Sequence, residues 1–477
     1  MTRINTNVSS LIAQRVLRKN NNSLNTSLER LSTGLKINKG ADNPAGLIAS
    51  ENLRLEKSGI AQAIDNAERA SNIIGTAEGG LTEVSSLLTE LQALVSQSAN
   101  TGGLSEEEKA ANQLQVDSIL GTINRIAGST AFQGAKLLNG NYAYATSGVV
   151  ASAFTTMQIS SARLPDAQSV NVVVQVTNSA TTGQVTFTGT GLGTGNTVTL
   201  EVAGTAGTEQ LTFAGSSTIA QIQTAVNAIK EVTGVSAAVS GTTLKFNSVN
   251  YGSEQFVSVK ALSGTFATAG GTNGKDYGTD ADVKVNGATA EAKGLNVTYR
   301  NSNLDLEFDL SSFDGTTNGL NNGGTKTFTI TGGGANFSLG SKVTESDKAA
   351  IGIQSVSTSS LGDGAVGYLS TLASGGANDL NSGNLVQAQK ILDKAVKQVS
   401  QLRGRLGAFQ KFTIGSTINS LGVAYENVSA SESAIRDTDF SEETAQLTRA
   451  QILSQAANTV LAQANAAPQA ALSLLRG

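Results

Sequence analysis

The stretch "LSTGLKINKGADNPAGLIAS", Leu31 to Ser50, sets three glycines, two lysines and a proline between leucine-patterned segments. Glycine beside lysine is what a phosphate cradle uses, so a nucleotide loop is the first chemistry to test. Such a loop needs G-x-x-x-x-G-K-[ST] after a strand and before a helix. Here Gly34 and Gly40 have five residues between them, Lys39 precedes the second glycine, and a helical pattern precedes the first. G-x-G-x-x-G is absent as well. A bend fits better: Gly34 stands where a helix C-cap takes a left-handed residue. Asn43-Pro44 then reads as an N-cap followed by proline at the first helical position.

Other residue types could also carry chemistry. In "LDLEFDL", Asp305, Glu307 and Asp309 share one face of a strand and by type could form an acid pair or a calcium site. Leu304, Leu306, Phe308 and Leu310 fill the other face, so the expectation is an amphipathic strand with a solvated acidic side. "DTDFSEE" (Asp437 to Glu443) could hold a hard cation and reads better as a helix entry capped by Ser441 or Asp439. "QRVLRK" (Gln14 to Lys19) is a basic patch without interleaved aromatics, which suits a solvated helix face rather than nucleic acid. The chain has no His and no Cys, which removes Ser-His-Asp and Cys-His nucleophiles and nearly all zinc sites. No catalytic, cofactor or metal residue is assigned, no cofactor is expected, and the chain does not read as an enzyme. A net charge of −4 over 477 residues gives no basic field for nucleic acid or an anionic membrane. No run of 18 apolar residues exists to span a bilayer, and the N-terminus lacks the apolar core of a cleavable signal.

The elements that surround these residues divide the chain in three. From Ile4 to about Leu138, and again from Leu385 onward, Leu, Ala and charged residues recur at helical spacing. Leu385, Ala388, Leu392, Ala395, Val399, Leu402, Leu406 and Phe409 alternate steps of three and four. The phase then slips, and Ile414, Ile418, Leu421, Tyr425 and Val428 continue it. Leu81, Val84, Leu88, Leu91, Val95 and Ser98 repeat the pattern, as do Leu17, Leu24, Leu28, Leu31 and Leu35. Such seams bury themselves in other helices, and phase slips are stutters. Ser105 and Glu108 form a capping box for a further helix with Val116, Leu120, Ile123 and Ala127 on its apolar side. A helix from Pro44 to Asn100 would be roughly 85 Å long, with a weak point at Gly79-Gly80. The last helix carries Leu447, Leu453, Val460 and Ala467, read as one stripe, and Leu472, Leu474 and Leu475 at its tip. Both terminal helices are thin and are expected to be ordered by neighbours, including other copies of the chain.

Between them, from about Asn139 to Ser338, Gly, Thr, Val and Asn dominate with period-2 alternation. "SVNVVVQV" and "NTVTLEV" read as strands, and "STIAQIQTAVNAIKEVTG" as an interrupting helix with Ile219, Ile222, Val226 and Ile229 on one face. The fold class is therefore α+β: long N- and C-terminal helices paired in a coiled-coil or helical-bundle rod, with an inserted β-rich outer domain.

Both ends resemble bacterial flagellin. The motifs, in order, are "INTN", "LSTGLKIN" with "AGL" downstream, "QSAN" at Gln97–Asn100, "FQGAKLLNG" at Phe132–Gly140, "LGAFQ", "IRDTDFSEETAQLTRAQIL" and the final "LSLLRG". The resemblance covers about residues 1–140 and 335–477. The middle is similar to a module of flagellins and hook-associated proteins through "IAQIQTAVNAI" and "YGSEQFVSV".

The resemblance implies a subunit that self-assembles into the hollow helical flagellar filament for motility. It implies an inner coiled-coil domain (1–40 and 442–477) and a helical shell (41–140 and 341–441). The β-rich outer domain (141–340) is expected as two modules, about 150–265 and 266–340. Assembly residues of the inner coiled coil would be Ile4, Leu11, Leu17, Leu24, Leu28, Leu31, Leu447, Leu453, Val460, Leu472, Leu474 and Leu475. The shell core would hold Leu88, Leu91, Val95, Val399, Leu402, Leu406 and Phe409. Implied partners are other copies of the chain, an export chaperone, the filament cap and hook-junction proteins. Export would be of the type III kind, to an extracellular filament. An innate immune receptor surface would lie around "LTELQALVSQSAN". Leu94 matches the family there, and Glu90 stands where activating members carry arginine, so weak recognition is expected. Alternatives are a hook-associated junction protein, or a filament subunit whose outer domain binds or adheres. A metalloprotease in the outer domain, which needs H-E-x-x-H, is excluded by the absence of His.

Overall fold

The computed structural model describes residues 6–100, 102–164, 168–193, 195, 197–312 and 323–476, with side chains as far as residue 467. Long helices occupy both ends and strands the middle. The helices are α1 (Val8–Thr33), α2 (Pro44–Ser98), α3 (Glu106–Ser129), α4 (Ile219–Ala228), α5 (Lys230–Thr233), α6 (Leu385–Ala408), α7 (Ser416–Arg436) and α8 (Phe440–Arg476). The chain forms two compact units: Met1–Arg69 with Ser338–Asp347 and Ile414–Gly477, and Ala70–Phe337 with Lys348–Thr413.

In the first unit, local chemistry sets the helix ends. Asn7 caps α1 by accepting from the Ser10 amide at 3.0 Å. Gly34 closes it at φ 73°, its amide donating to the Arg30 carbonyl at 2.8 Å. Asn43 accepts from the Gly46 amide at 2.9 Å, so α2 opens at Pro44 as its sequence indicates. Asp439, rather than Ser441, caps α8 by accepting from the amides of Ser441 and Glu442. The bend at 34–43 and the break between α7 and α8 are stitched together. Lys36 donates its amide to the Arg436 carbonyl at 2.7 Å, and Leu35 bridges Asp437. Leu35 is thus part of this bridge and not of the α1 stripe.

In the second unit, Ala70, Ile74, Ala77, Leu81, Val84, Leu88, Leu91, Val95 and Ser98 are buried along α2 in unbroken steps of four and three. The helix runs unbroken through Gly79-Gly80. A Cβ at Gly80 would lie 2.7 Å from Thr130 Oγ1 and 2.8 Å from Leu138 Cδ1, so the missing side chain admits the turn after α3. Ser105 and Glu108 form the capping box of α3. Along α6, Ala388, Leu392, Ala395, Val399, Leu402 and Leu406 are buried. The phase slip that follows is a π-helical segment, Phe409–Gly415, whose wider turn makes a step of four into the step of five from Phe409 to Ile414.

The β region is nested rather than divided in sequence. One antiparallel sheet of eight strands runs Ala145–Ser147, Thr325–Gly332, Val170–Asn178, Asp282–Val285, Ala288–Lys293, Asn296–Arg300, Leu304–Leu310, Phe154–Ala162. Its apolar face centres on Phe154, Phe308 and Phe328, with ring centroids 5.5 and 6.2 Å apart from Phe154. Inserted between Asn178 and Asp282 is a separate core of two four-stranded sheets and α4, in which Ile222, Val226, Leu200 and Phe246 are buried. The ends of this insert meet: Thr181 donates its amide to the Thr279 carbonyl at 3.0 Å. The expected modules at 150–265 and 266–340 are therefore corrected. Val170–Asn178 pairs with both Asp282–Val285 and Thr325–Gly332, and such long-range pairing leaves no local signature.

The acidic side of Leu304–Leu310 also differs from expectation. Leu304, Leu306, Phe308 and Leu310 are buried as expected, but the acids are half-buried rather than fully solvated. Asp309 accepts from Asn296 and Thr156 and pairs with Lys394 of α6 at 3.3 Å.

Candidate assembly surface

The surface most able to act is on the paired terminal helices. α1 and α8 run antiparallel, and their facing residues keep a strict three-four alternation. On α1 these are Ser10, Ala13, Leu17, Asn20, Leu24, Ser27 and Leu31, and on α8 Glu443, Leu447, Ala450, Ser454, Ala457, Leu461 and Ala464. The fully buried members apart from Glu443 are all small: Ser10, Ala13, Ser27, Ala450 and Ala457. Small side chains let the backbones approach, and polar groups then cross the seam. Asn7 Nδ2 donates to the Ala464 carbonyl at 2.7 Å, and Ser10 Oγ to Asn465 Oδ1 at 2.7 Å. Asn20 Nδ2 donates to the Leu453 carbonyl at 2.9 Å, and Arg30 pairs with buried Glu443 at 3.4 Å. Such a seam specifies register while burying little apolar area, so it contributes modestly to stability.

A second set of large apolar residues lies off the seam. Val8, Leu11, Ile12, Val16 and Leu28 of α1 are exposed, as are Ile452, Leu453 and Val460 of α8, with Leu11 at 57 % and Val460 at 58 %. This corrects the reading of Leu447, Leu453 and Val460 as one stripe. Six residues turn a helix through two-thirds of a circle beyond a full turn, so Leu447 faces α1 while Leu453 does not. On α1, Leu17, Leu24 and Leu31 face the seam and Leu28 does not. Sequence reasoning missed Ala450, Ala457, Ser10 and Ser27, whose signal was the repeat of small residues at seam spacing. Ile4 lies outside the described residues, and so do the side chains of Leu472, Leu474 and Leu475.

In the other unit, Leu88, Leu91, Val95, Val399, Leu402 and Leu406 are buried and Phe409 is half-buried. Gln410 donates to Ser71 Oγ at 2.8 Å, and Asn112 Nδ2 to Ser98 Oγ at 3.4 Å, which fastens the flanking helices to α2. Of the two residues singled out for receptor contact, Glu90 is exposed and Leu94 is buried at 7 % exposure. Arg15, Arg18 and Lys19 line an open polar groove of about 550 Å³ beside Arg30. Among the described residues no cluster of three or more His, Cys, Asp or Glu could hold a metal ion, and no helix is long and apolar enough to cross a membrane.

Known proteins resemble the chain along its whole length. Residues 4–143 match the model of the bacterial flagellin N-terminal helical region, and residues 389–475 that of the C-terminal helical region. The sequence is 32 % identical over 472 residues to flagellin D of Vibrio anguillarum, covering 99 % of each chain. It is 30 % identical over 473 residues to polar flagellin B/D of Vibrio parahaemolyticus, again covering 99 % of each. Flagellin D of Vibrio cholerae is 30 % identical over 472 residues, with 99 % of each chain covered.

Proposed function

The chain belongs to the bacterial flagellin family and is a structural subunit of the flagellar filament, and on that premise we propose which of its surfaces assemble. Copies of the chain meet through the apolar sides of α1 and α8 that the α1–α8 seam leaves open. The observation that carries this reading is the exposure of large apolar residues, such as Leu11, Ile12, Leu453 and Val460, on sides of the two helices that the seam does not cover. An exposed apolar band of this kind marks a protein interface. Residues 1–40 and 442–477 form the inner layer of the assembly, 41–140 and 341–441 a helical shell, and 141–340 the outward part. The chain acts as a non-enzymatic building block, exported to an extracellular filament. The open side of α8 is what an export chaperone covers before assembly, and filament cap and hook-junction proteins adjoin the polymer. Immune-receptor recognition is weak, because Glu90 presents a negative charge and Leu94 is withdrawn from the surface.

Seeded polymerisation tests the central point. Leu453→Ser with Val460→Ser is expected to abolish elongation while the monomer keeps its helical content. Normal elongation by that variant would overturn the assignment.

A further inference from the structure

The eight-stranded sheet has one apolar face and one polar face. On the polar face, Asp305, Glu307 and Asp309 stand in register with Arg300, Thr298 and Asn296 on one neighbouring strand, and with Ser161, Gln158 and Thr156 on the other. α6 lies along this face. The apolar clusters of the eight-stranded sheet and of its insert contain no residue of α6, whose own apolar stripe is buried on another side.

Charge makes the connection instead. Lys394 Nζ lies 3.3 Å from Asp309 and 2.9 Å from Asp363, which also accepts the amides of Ala365 and Val366 and so fixes the lysine from the helical side. Four residues earlier, Lys390 pairs with Glu231 of the insert at 2.8 Å. Eleven residues later, Arg405 donates to Ser160 Oγ and faces Asp305. Positions 390, 394 and 405 fall along one edge of the helix. Backbone bonds join the strand Phe154–Ala162 to the segment after Lys348, with Gly352 donating to the Ser160 carbonyl at 2.7 Å. That strand connection can serve as a pivot.

We propose that Lys390, Lys394 and Arg405 form an ionic latch that seats the β region on α6, and that the latch opens while the helices and the sheets stay folded. Each side has its own apolar core, so opening exposes polar surface and leaves both cores intact. A joint of that kind opens at lower free energy than global unfolding.

The titrating groups give the sign. Burial alone would raise the Asp309 carboxyl, but hydrogen bonds from Asn296 and Thr156 and the charge of Lys394 outweigh it and hold it below its ordinary value. Burial would likewise lower Lys394, but Asp309 and Asp363 outweigh it and raise it. Asp309 therefore stabilises the closed state above the ordinary carboxylate range, and that contribution is lost as pH falls through its lowered value. Lys394 contributes below the ordinary lysine value, and its contribution is lost above its raised one. Asp305 has the opposite sign: burial raises it more than Arg300 and Arg405 lower it. Lys394 is thus the centre of the latch, closed through the neutral range.

The natural chain has no cysteine, so a single Gln158→Cys in the full-length protein reports on the joint without background. Gln158 lines the polar cavity of about 30 Å³ between sheet and α6, with Lys394 and Gln398 opposite. At neutral pH, Lys394→Ala is expected to speed labelling of the thiol introduced by Gln158→Cys about tenfold with a soluble disulfide reagent, while Lys394→Arg keeps it slow. Asp309→Asn is a second opening variant, should Lys394→Ala fold poorly. In a parallel background, the thiol introduced by Ala290→Cys in the sheet core must stay unlabelled in both opening variants. The proposal is overturned if the Gln158→Cys thiol labels at the same rate with and without Lys394, or if the Ala290→Cys thiol becomes exposed together with it.

Discussion

Thr438 donates its amide to the carbonyl of Gly34 at 2.9 Å, which makes the bend after α1 and the break before α8 a single joint. Gly34 holds φ 73° with nothing within 4 Å of where a Cβ would sit. Gly34→Ala therefore meets only the backbone cost of a left-handed residue, about 1 kcal/mol. The thermal midpoint followed by helical circular dichroism is expected to fall modestly. Thr438→Pro, which deletes the donor itself, is expected to speed amide exchange at the start of α8 more than Gly34→Ala does.

The glycine pair in α2 separates propensity from packing. Nothing lies within 4 Å of a Cβ at Gly79, so Gly79→Ala is expected to stabilise by roughly 0.5–1 kcal/mol in chemical denaturation. Gly80→Ala gains the same propensity but drives a methyl to 2.7 Å from Thr130 and 2.8 Å from Leu138. It is expected to destabilise on balance, and equal gains at both positions would show that Thr130 and Leu138 yield freely.

Seam and outer side of α8 are expected to part company under mutation. Ala457 is buried against α1, so Ala457→Leu overpacks the seam and costs about 1–3 kcal/mol of monomer stability. Val460 is exposed, so Val460→Ser leaves monomer melting within about 0.5 kcal/mol and raises the critical concentration for seeded growth.

Acid is expected to weaken the latch through Asp309. The Asp309 carboxyl is held below the ordinary aspartate value of 3.8, so its contribution is complete above that value and is lost as pH falls through the lowered one. The wild-type thermal midpoint is expected to drop with acid in that range. Asp309→Asn should start lower at pH 7, by about 1–3 kcal/mol, and show a shallower acid limb. Parallel acid profiles for the two chains would show that Asp309 has no part in the acid response.

Much of this architecture is legible in the sequence wherever the signal is local. Gly34, Asn43-Pro44 and the Ser105–Glu108 box each specify a helix end through backbone chemistry within four residues. The five-step from Phe409 to Ile414 marks the π-helical turn because a phase slip has to be absorbed in the backbone. What was not legible depends on distant partners. Asp309 reads as solvated because the cation that pairs with it comes from α6, with Lys394 standing 85 residues beyond it. The nested β core was hidden for the same reason, since Val170–Asn178 finds its partners across the whole insert. In α8, Ala450 and Ala457 are buried in the seam because a small side chain lets the backbones approach, a role that their weak hydrophobicity does not mark in the sequence.

The insert offers the most direct test that assembly resides in the terminal helices. Its ends meet at Thr181 and Thr279, whose hydroxyls are 2.8 Å apart, so residues 182–278 can be replaced by two glycines without stretching the sheet. That chain, and a separate chain ending at residue 447, would be added to filament seeds and followed by electron microscopy. Filaments are expected from the first and none from the second. Filaments from the chain lacking most of α8, or none from the chain lacking only the insert, would contradict assembly through the terminal helices.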